Sequence, residues 1–439
     1  MMGTVGGRRS GGDLAGDEAQ RHELKARVRA RLMESLDLVV AQRMAPEELR
    51  EECSRRVDAL LTASRTPLTF AQKQELLGEV LDDIFGLGPI EELMRDDSVS
   101  DILVNGPTQI FVERAGRLEP SAARFRDEAH LLQVIQRIAA SVGRRIDESS
   151  PMLDARLQDG SRINAIIPPL ALQGPVMSVR RFATVPIEAE RLVELGTWNR
   201  EMAGFLEAAV RCRMNILISG GTGSGKTTLL NVLSKWIPEQ ERVVTIEDAA
   251  ELRLQREHVV SLETRPPNIE GKGEVTQRDL LRNTLRMRPD RIIVGEVRGS
   301  ETLDMLQAMN TGHEGSMTTV HANSARDALR RVENMASMAG LQFPIQVLRD
   351  QMASTLDLLI HLARLTGGRR KVLSVSEIVG IEHDVILIQD IFRFEQTGID
   401  AEGHASGSFA PCGIRPRLLE RMRAEGVVLP ASTWSRKRP

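Results

Sequence analysis

A glycine-rich segment in the middle of the chain carries the residues best suited to chemistry. The run Asn215-Ile-Leu-Ile-Ser-Gly-Gly-Thr-Gly-Ser-Gly-Lys-Thr-Thr-Leu-Leu230 joins an apolar stretch to a helix-forming stretch and has the spacing G-x-x-x-x-G-K-[ST]. Glycines let the backbone curl, so that successive N–H groups point inward at phosphate oxygens beside a helix N-terminus. The pattern predicts a binding loop for the phosphates of a nucleoside triphosphate.

Each residue type in this loop has an expected task. Lys226 would neutralise the β- and γ-phosphates, and the Thr227 hydroxyl would complete the coordination of a Mg²⁺ ion. A glycine-rich turn that fits by chance is the alternative, but a strand-like run precedes the loop and a helix-like run follows it. We therefore predict ATP and Mg²⁺ as cofactors. The residues expected to bind the nucleotide are Gly220, Gly221, Thr222, Gly223, Ser224, Gly225, Lys226, Thr227 and Thr228.

Two acidic residues follow apolar strand-like runs and are candidates for hydrolysis. Glu247 lies in Thr245-Ile-Glu-Asp-Ala-Ala-Glu-Leu252, and Glu296 follows the run that ends at Val294. We expect Glu247 to orient or deprotonate the attacking water. Glu296 would act on Mg²⁺ through its waters, because Gly295 occupies the position where aspartate is usual. The alternative is that Glu247 and Asp248 only cap the segment that follows them.

Two histidines lie close together in Thr311-Gly-His-Glu-Gly-Ser-Met-Thr-Thr-Val-His-Ala-Asn323. The spacing between His313 and His321 spans a glycine loop and a strand, so the two cannot form an i, i+4 metal pair. A polar coupling role beside the γ-phosphate is the better prediction, with His321 the stronger candidate. An ordinary hydrogen-bonded histidine is the alternative for either one.

Phosphoryl transfer also needs positive charge near the transferring group. Arg162 and Arg180, each on a strand of the preceding domain, are the predicted source, with Arg156 and Arg181 as weaker candidates. Any one of these arginines could instead be a surface salt-bridge partner.

The order of elements predicts four segments. Residues 1–18 are poor in apolar groups and predict a disordered tail. Residues 19–68 form a helical extension, and residues 69–184 an α+β, PAS-like domain that ends at a linker, 184–186. Residues 185–439 alternate strands and helices, which predicts an α/β domain with a mostly parallel sheet.

Composition narrows the class of protein. The 439 residues include 41% hydrophobic and 27% charged residues, which is typical of a globular protein. Aromatic residues make up only 3%, without any Tyr, and the net charge is −3, so nucleic acid is disfavoured as the main partner. The chain has neither an 18-residue apolar run nor an apolar signal core, which predicts a cytoplasmic protein.

These motifs together resemble the secretion ATPase superfamily of type II and type IV secretion, pilus and conjugation motors. The resemblance is strongest to the CpaF-type ATPase of tight-adherence (Flp) pilus assembly. One departure is Gly299, where type II secretion ATPases usually carry Asp. Beside the phosphate loop, the matching pieces are residues 85–90, 99–106, 156–168, 179–182, 245–248, 288–298, 312–315 and 413–416.

The resemblance implies a RecA-like ATPase domain preceded by a smaller domain, assembled as a homo-hexamer. ATP hydrolysis would move the two domains and drive an inner-membrane platform protein, so that the chain is peripheral to the inner membrane and meets it only through that partner. By position, Glu247, Glu296, His313 and His321 fall in the family's acidic and histidine boxes, and Arg162 and Arg180 match its arginine contacts. A conjugation or type IV secretion ATPase is the alternative function, and a nucleic-acid translocase is a more distant one.

Overall fold

The computed structural model describes residues 11–36, 38–41, 44–63, 68–114, 116–181, 187–267, 271–340, 344–430 and 433. The chain forms two compact units, Met1–Ala183 and Thr184–Pro439, which are described separately below. The predicted linker, residues 184–186, lies outside the described residues.

The first unit begins with helices that pack on one another. Residues at i, i+4 spacing put Leu24, Val28 and Leu32 on one face of α1, where all three are buried with Val57 of α3 and Val80 of α4. Thr69 caps α4 through a reciprocal capping box. The helices are α1 (Gly11–Ser35), α2 (Leu38–Ala41), α3 (Pro46–Ala63) and α4 (Phe70–Ile84).

The predicted disordered tail differs from the structure in its second part. Helix α1 already begins at Gly11, so residues 11–18 are helical, while residues 1–10 lie outside the described residues. The low hydrophobicity of this stretch suggested disorder, but Leu14, Ala15, Glu18 and Ala19 all have good helix propensity.

The second part of this unit is a six-stranded antiparallel sheet in the order β3-β2-β1-β6-β5-β4. One face of the sheet packs on α6, where Ile102 and Ile163 share a core with Leu131 and Ile135. The elements are β1 (Val99–Val104), β2 (Ile110–Arg114), β3 (Arg117–Pro120), β4 (Met152–Arg156), β5 (Arg162–Ile166), β6 (Val176–Arg180), α5 (Glu91–Arg95) and α6 (Glu128–Ser141).

The second unit is built on a nine-stranded sheet in the order β15-β14-β13-β12-β7-β11-β10-β8-β9. The six strands from β12 to β9 are parallel, and β13, β14 and β15 extend the sheet in antiparallel fashion. The strands are β7 (Ile216–Gly220), β8 (Val243–Glu247), β9 (Val259–Glu263), β10 (Arg291–Val294), β11 (Met317–His321), β12 (Leu358–Arg364), β13 (Arg370–Glu382), β14 (Val385–Ile399) and β15 (Ala405–Pro411).

Helices cover both faces of this sheet. Along β7, Ile216 and Ile218 enter one hydrophobic core with Phe205 of α8, whereas Leu217 enters the core on the opposite face with Leu306 of α11. All five residues of β7 are buried, as a central parallel strand requires. The helices are α7 (Ala189–Glu194), α8 (Arg200–Arg211), α9 (Lys226–Ser234), α10 (Gln277–Thr284), α11 (Glu301–Asn310), α12 (Ala325–Ser337), α13 (Ile345–Thr355) and α14 (Leu418–Ala424).

A buried polar group fixes the loops at the amino end of β7. The Asn215 side chain donates to the carbonyl of Thr355 at 2.8 Å and accepts from the N–H groups of Gly315 and Ser316 at 2.8 and 3.1 Å. This amide therefore ties the segment before β11 to the sheet edge that is opposite to the phosphate-binding loop.

The predicted fold class is confirmed: an α/β, RecA-like unit with a mostly parallel sheet follows a small α+β region and an N-terminal helical extension. The sequence missed β9 and the antiparallel strands β13, β14 and β15. Within the described part of the chain, no helix is both long enough and apolar enough to span a membrane.

Candidate functional site

The phosphate-binding loop leaves the sheet at the carboxyl end of β7. Gly220 has no space for a side chain, since a Cβ atom there would lie 2.5 Å from the carbonyl oxygen of Leu362. Gly223 and Gly225 adopt left-handed φ angles of 68° and 97°, which other residue types rarely adopt. The glycines at these three positions are therefore required by the shape of the loop.

The helix after the loop begins with a terminus suited to an anion. Gly225 is the N-cap of α9 and provides no side chain for the N–H groups of the first turn, which includes Thr227 and Thr228. Lys226 is buried, and its ammonium donates to the carbonyl oxygens of Gly220 and Gly221, both at 3.1 Å. A loop of backbone donors with a buried cation fits the phosphates of a nucleotide.

A chain of polar contacts runs from this loop along the carboxyl ends of the strands. The Lys226 ammonium lies 3.4 Å from Nε2 of His321, the last residue of β11. Nε2 of His321 also lies 3.3 Å from a carboxylate oxygen of Glu296, which follows β10. Arg298 donates from Nε to Glu296 at 3.1 Å, and its Nη1 lies 3.6 Å from Asp248, just after β8. Four neighbouring strands thus contribute to one polar site.

The contacts of His321 favour its neutral form. Burial lowers the pKa of this imidazole, and the positive charge of Lys226 lowers it further, although Glu296 acts in the opposite direction. The neutral ring can then accept a hydrogen bond from Lys226 at Nδ1, 3.5 Å away, while its Nε2–H donates to Glu296. His321 joins the phosphate-binding lysine to the carboxylate predicted for the metal.

Glu296 and Thr227 are the residues that would hold Mg²⁺. Both offer oxygen ligands, which Mg²⁺ prefers, and Thr227 lies half-buried in the first turn of α9. Gly295 precedes Glu296, and a Cβ atom at that position would lie 2.8 Å from Cγ of Glu247. An aspartate at position 295 would therefore displace the Glu247 side chain.

Glu247 ends β8 and points into the loop that follows. Its side chain is buried and accepts from the backbone N–H groups of Glu251 at 3.0 Å and Leu252 at 3.1 Å. These hydrogen bonds are the contacts expected if Glu247 only caps the segment that follows it. Glu247 nevertheless lies at the same sheet edge as Lys226. Burial raises the pKa of this carboxyl to about 7, against the opposing effect of the two N–H groups.

In the first unit, three arginines stand side by side on neighbouring strands. Arg156 pairs with Arg162 across β4 and β5, and Arg162 pairs with Arg180 across β5 and β6. Like charges directly opposite each other destabilise a sheet, but acidic neighbours compensate them here, and Asp101 of β1 lies opposite Arg180. Asp154 binds Arg162 at 2.7 Å and offsets part of this charge. The row contains both arginines predicted to meet the phosphates.

Comparison with known proteins identifies the family. The family described as "Type II/IV secretion system protein" matches residues 83–398. A putative conjugal transfer protein of Mycobacterium tuberculosis strain H37Rv is 39% identical over 300 residues, which cover 67% of this chain and 85% of that protein. The conjugal transfer protein TrbB of Rhizobium radiobacter is 36% identical over 300 residues, with coverage of 66% and 85%.

The chain therefore belongs to the type II/IV secretion ATPase superfamily. One similar solved structure is that of the pilus retraction motor PilT with bound ADP. It is 23% identical in sequence, the match covers 67% of this chain and 83% of the PilT chain, and the TM-score is 0.49. Both relatives described above are named for conjugal transfer. The narrower placement beside the tight-adherence pilus ATPases stays a prediction.

One predicted site residue, His313, lies away from the phosphate-binding loop. His313 precedes β11 and has its Nδ1 3.3 Å from the carbonyl of Ala308, at the amino end of the strand. His321 ends the same strand, and Met317 to His321 span ~13 Å of sheet at ~3.3 Å per residue. The structure therefore does not bring His313 next to Lys226. Closeness in sequence was misleading because the strand separates the two histidines.

Arg181, a weaker arginine candidate, has a structural position. Its guanidinium donates to the carbonyl oxygens of Asp96 and of Val99, the latter at 3.0 Å, and thereby ties β6 to the segment before β1. This contact is internal to the first unit.

Sequence reasoning missed a histidine beneath the phosphate-binding loop. His361 of β12 is buried, and its Nδ1 lies 2.9 Å from the hydroxyl of Ser219, next to Gly220. Burial lowers the pKa of the ring, which keeps it neutral. In the sequence His361 interrupts an apolar strand, which was the only available signal.

Proposed function

We propose that this protein is a Mg²⁺-dependent ATPase motor that assembles as a homo-hexamer and acts on an inner-membrane platform protein. The observation that carries the proposal is the continuous polar chain from Lys226 through His321 to Glu296, next to a loop suited to phosphates. Family membership supports the same conclusion. The protein would be cytoplasmic and would meet the membrane only through its partner.

The residues of the second unit divide the chemistry. Backbone N–H groups of residues 220–228 bind the phosphates, and the Lys226 ammonium leaves the loop carbonyls for the β- and γ-phosphate oxygens. His321 holds Lys226 and Glu296 in a common arrangement. When bound, Mg²⁺ would neutralise phosphate charge, with Thr227 and Glu296 as its protein partners.

Glu247 is the proposed acceptor of a proton from the attacking water. A carboxyl whose pKa is about 7 can both hold and release a proton near neutral pH, which is the requirement for a general base. Its bonds to the N–H groups of Glu251 and Leu252 connect this proton to the conformation of the loop after β8. Loop movement would therefore accompany hydrolysis.

Arg162 and Arg180 of the first unit are the proposed source of extra positive charge for the γ-phosphate. The supporting observation is their position: with Arg156 they form a row of three basic residues across β4, β5 and β6. Positive charge that the first unit supplies to a nucleotide bound by the second unit would couple hydrolysis to movement of the units.

The assay for this proposal is phosphate release from ATP by the purified full-length hexamer. We expect turnover with Mg²⁺, none with EDTA, and no change on addition of DNA. A hexamer that binds ATP without hydrolysing it would contradict the motor, and a rate that DNA stimulates would favour a nucleic-acid translocase instead.

Two machines are candidates for the work that this motor performs. Assembly of a tight-adherence pilus follows from the sequence pieces that resemble that branch, among them residues 413–416. Conjugation or type IV secretion is favoured by the two relatives at 39% and 36% identity, which are named for conjugal transfer. Neighbouring genes for prepilin and its peptidase would support the pilus, whereas genes for a relaxase would support conjugation.

A further inference from the structure

Two arginines of the second unit lie beside the phosphate-binding loop on its β12 side. Strand β12 runs parallel to β7 with Leu362 opposite Gly220, and it continues two residues further to Arg364. Strand β13 then returns antiparallel and places Arg370 opposite Arg364. Both arginines therefore lie at the sheet edge where the loop begins.

Both arginines approach the glycines of the loop. Nε of Arg370 donates to the carbonyl oxygen of Gly223 at 2.9 Å. A Cβ atom at Gly225 would lie 3.4 Å from Cδ of Arg370, and one at Gly223 would lie 3.8 Å from Nη1 of Arg364. Both side chains are exposed, so their charges border the open side of the loop.

The bond from Arg370 has a consequence for the orientation of the loop backbone. In a trans peptide the C=O and the following N–H point in opposite directions, so a fixed Gly223 carbonyl also fixes the N–H of Ser224, which closes the loop by donating to the Gly221 carbonyl at 3.3 Å. A phosphate-binding loop functions only while its N–H groups stay aligned. A charged donor holds a carbonyl more strongly than a neutral donor does.

The turn between the two strands keeps the arginines in place. Gly367 and Gly368 adopt left-handed φ angles of 79° and 81°, and a Cβ atom at Gly367 would lie 2.8 Å from the carbonyl oxygen of Gly403. The turn is thus restricted to glycine at a position that packs on the next hairpin. Neighbouring Arg369 instead faces Asp400, at 3.5 Å.

We propose that Arg370 is a positioning residue that holds the phosphate-binding loop in its anion-binding shape, and that Arg364 adds positive charge for the diphosphate part of the nucleotide. This inference rests on the proposed function, because it concerns the same nucleotide site. Both arginines belong to the unit that contains the loop, unlike Arg162 and Arg180 of the first unit.

The test is binding of fluorescent ADP to the full-length protein, measured by titration. Arg370→Ala should weaken ADP binding by about five- to twentyfold, as expected for a lost hydrogen bond from a charged donor. Arg370→Lys should recover part of that loss, since ammonium can still donate to the Gly223 carbonyl. Arg364→Ala should weaken binding less and reduce its dependence on salt. Arg369→Ala is the matched control and should bind ADP normally.

Turnover separates positioning from a general loss of structure. Arg370→Ala should raise KM for ATP by the factor seen for ADP binding while kcat stays within about twofold, because the lost interaction is shared by ground and transition states. Its unfolding temperature without nucleotide should equal that of the wild type. A lower unfolding temperature with unchanged ADP affinity would overturn the proposal in favour of a structural role.

Lys226→Ala distinguishes failure of this inference from failure of the proposed function. If Lys226→Ala abolishes ADP binding while Arg370→Ala and Arg364→Ala bind normally, the inference is wrong and the nucleotide site stands. If Lys226→Ala also binds ADP normally, the proposed function itself is wrong.

Discussion

The buried carboxyl of Glu247 makes the stability of the second unit depend on pH. Burial raises its pKa from 4.5 to about 7, so the folded chain retains a proton that the unfolded chain releases in this range. The free energy of unfolding must then fall as pH rises from about 4.5 to about 7. Glu247→Gln keeps an acceptor for the N–H groups of Glu251 and Leu252 but removes the titration.

The size of the effect follows from the pKa. Each pKa unit corresponds to about 1.4 kcal/mol. Integrated over the titration of this carboxyl, the free energy of unfolding of the wild type falls by about 2 kcal/mol between pH 5.5 and pH 8.5. The glutamine variant should therefore gain about 2 kcal/mol relative to the wild type across that interval.

Urea unfolding followed by tryptophan fluorescence is the assay. Trp198 and Trp236 belong to the second unit and stack with ring centroids 5.8 Å apart. Their emission reports the unfolding of the unit that contains Glu247. Measurements on wild type and variant at several pH values, without nucleotide, give the difference directly.

Glu257→Gln is the matched control, because Glu257 lies just before the neighbouring strand β9 and is exposed. Its substitution should leave the pH dependence of the wild type unchanged. If Glu247→Gln and wild type lose stability in parallel between pH 5.5 and pH 8.5, the carboxyl is not buried as described and the reasoning fails.

Three further predictions concern ATP binding and turnover. Lys226→Ala should abolish ATP binding in a filter or fluorescence assay, because the buried ammonium on the loop is lost; binding near the wild-type level would disprove its role. Arg180→Ala should spare ATP binding and slow phosphate release by about ten- to a thousandfold, as for a lost charge at the γ-phosphate; unchanged release would move that role to another arginine. His321→Ala should reduce turnover, and its effect should not add to that of Glu296→Gln, because the two side chains lie 3.3 Å apart; additive effects would show that they act separately.

The parallel sheet and the phosphate-binding loop could be predicted from sequence because their signals are local. Short apolar runs such as Ile216–Ile218 and Ile292–Val294 are buried strands, and the glycines of the loop have the left-handed angles that its spacing implied. The convergence of Glu296 and His321 on Lys226 followed from the rule that parallel strands present their ligands at one edge. The contacts of 3.3 and 3.4 Å agree with that rule.

Other features depended on contacts that sequence does not display. The burial of Glu247 against backbone N–H groups, the contact of His361 with Ser219 and the bond from Arg370 to Gly223 all join segments whose proximity only the fold reveals. The position of His313 was wrong because sequence distance gives no direction along a strand. Strands β13 to β15 mix polar and apolar residues on a sheet extension, which weakens their pattern.

Glu296 lies in the middle of the polar site, between His321 at 3.3 Å and Arg298 at 3.1 Å. The decisive measurement is a single-turnover experiment on Glu296→Gln with Mg²⁺ and radiolabelled ATP, in parallel with the wild type. We predict that the variant binds ATP with near wild-type affinity and retains it uncleaved, while the wild type converts it to ADP. Cleavage at the wild-type rate would contradict the claim that residues at the ends of β7, β8, β10 and β11 act on one triphosphate.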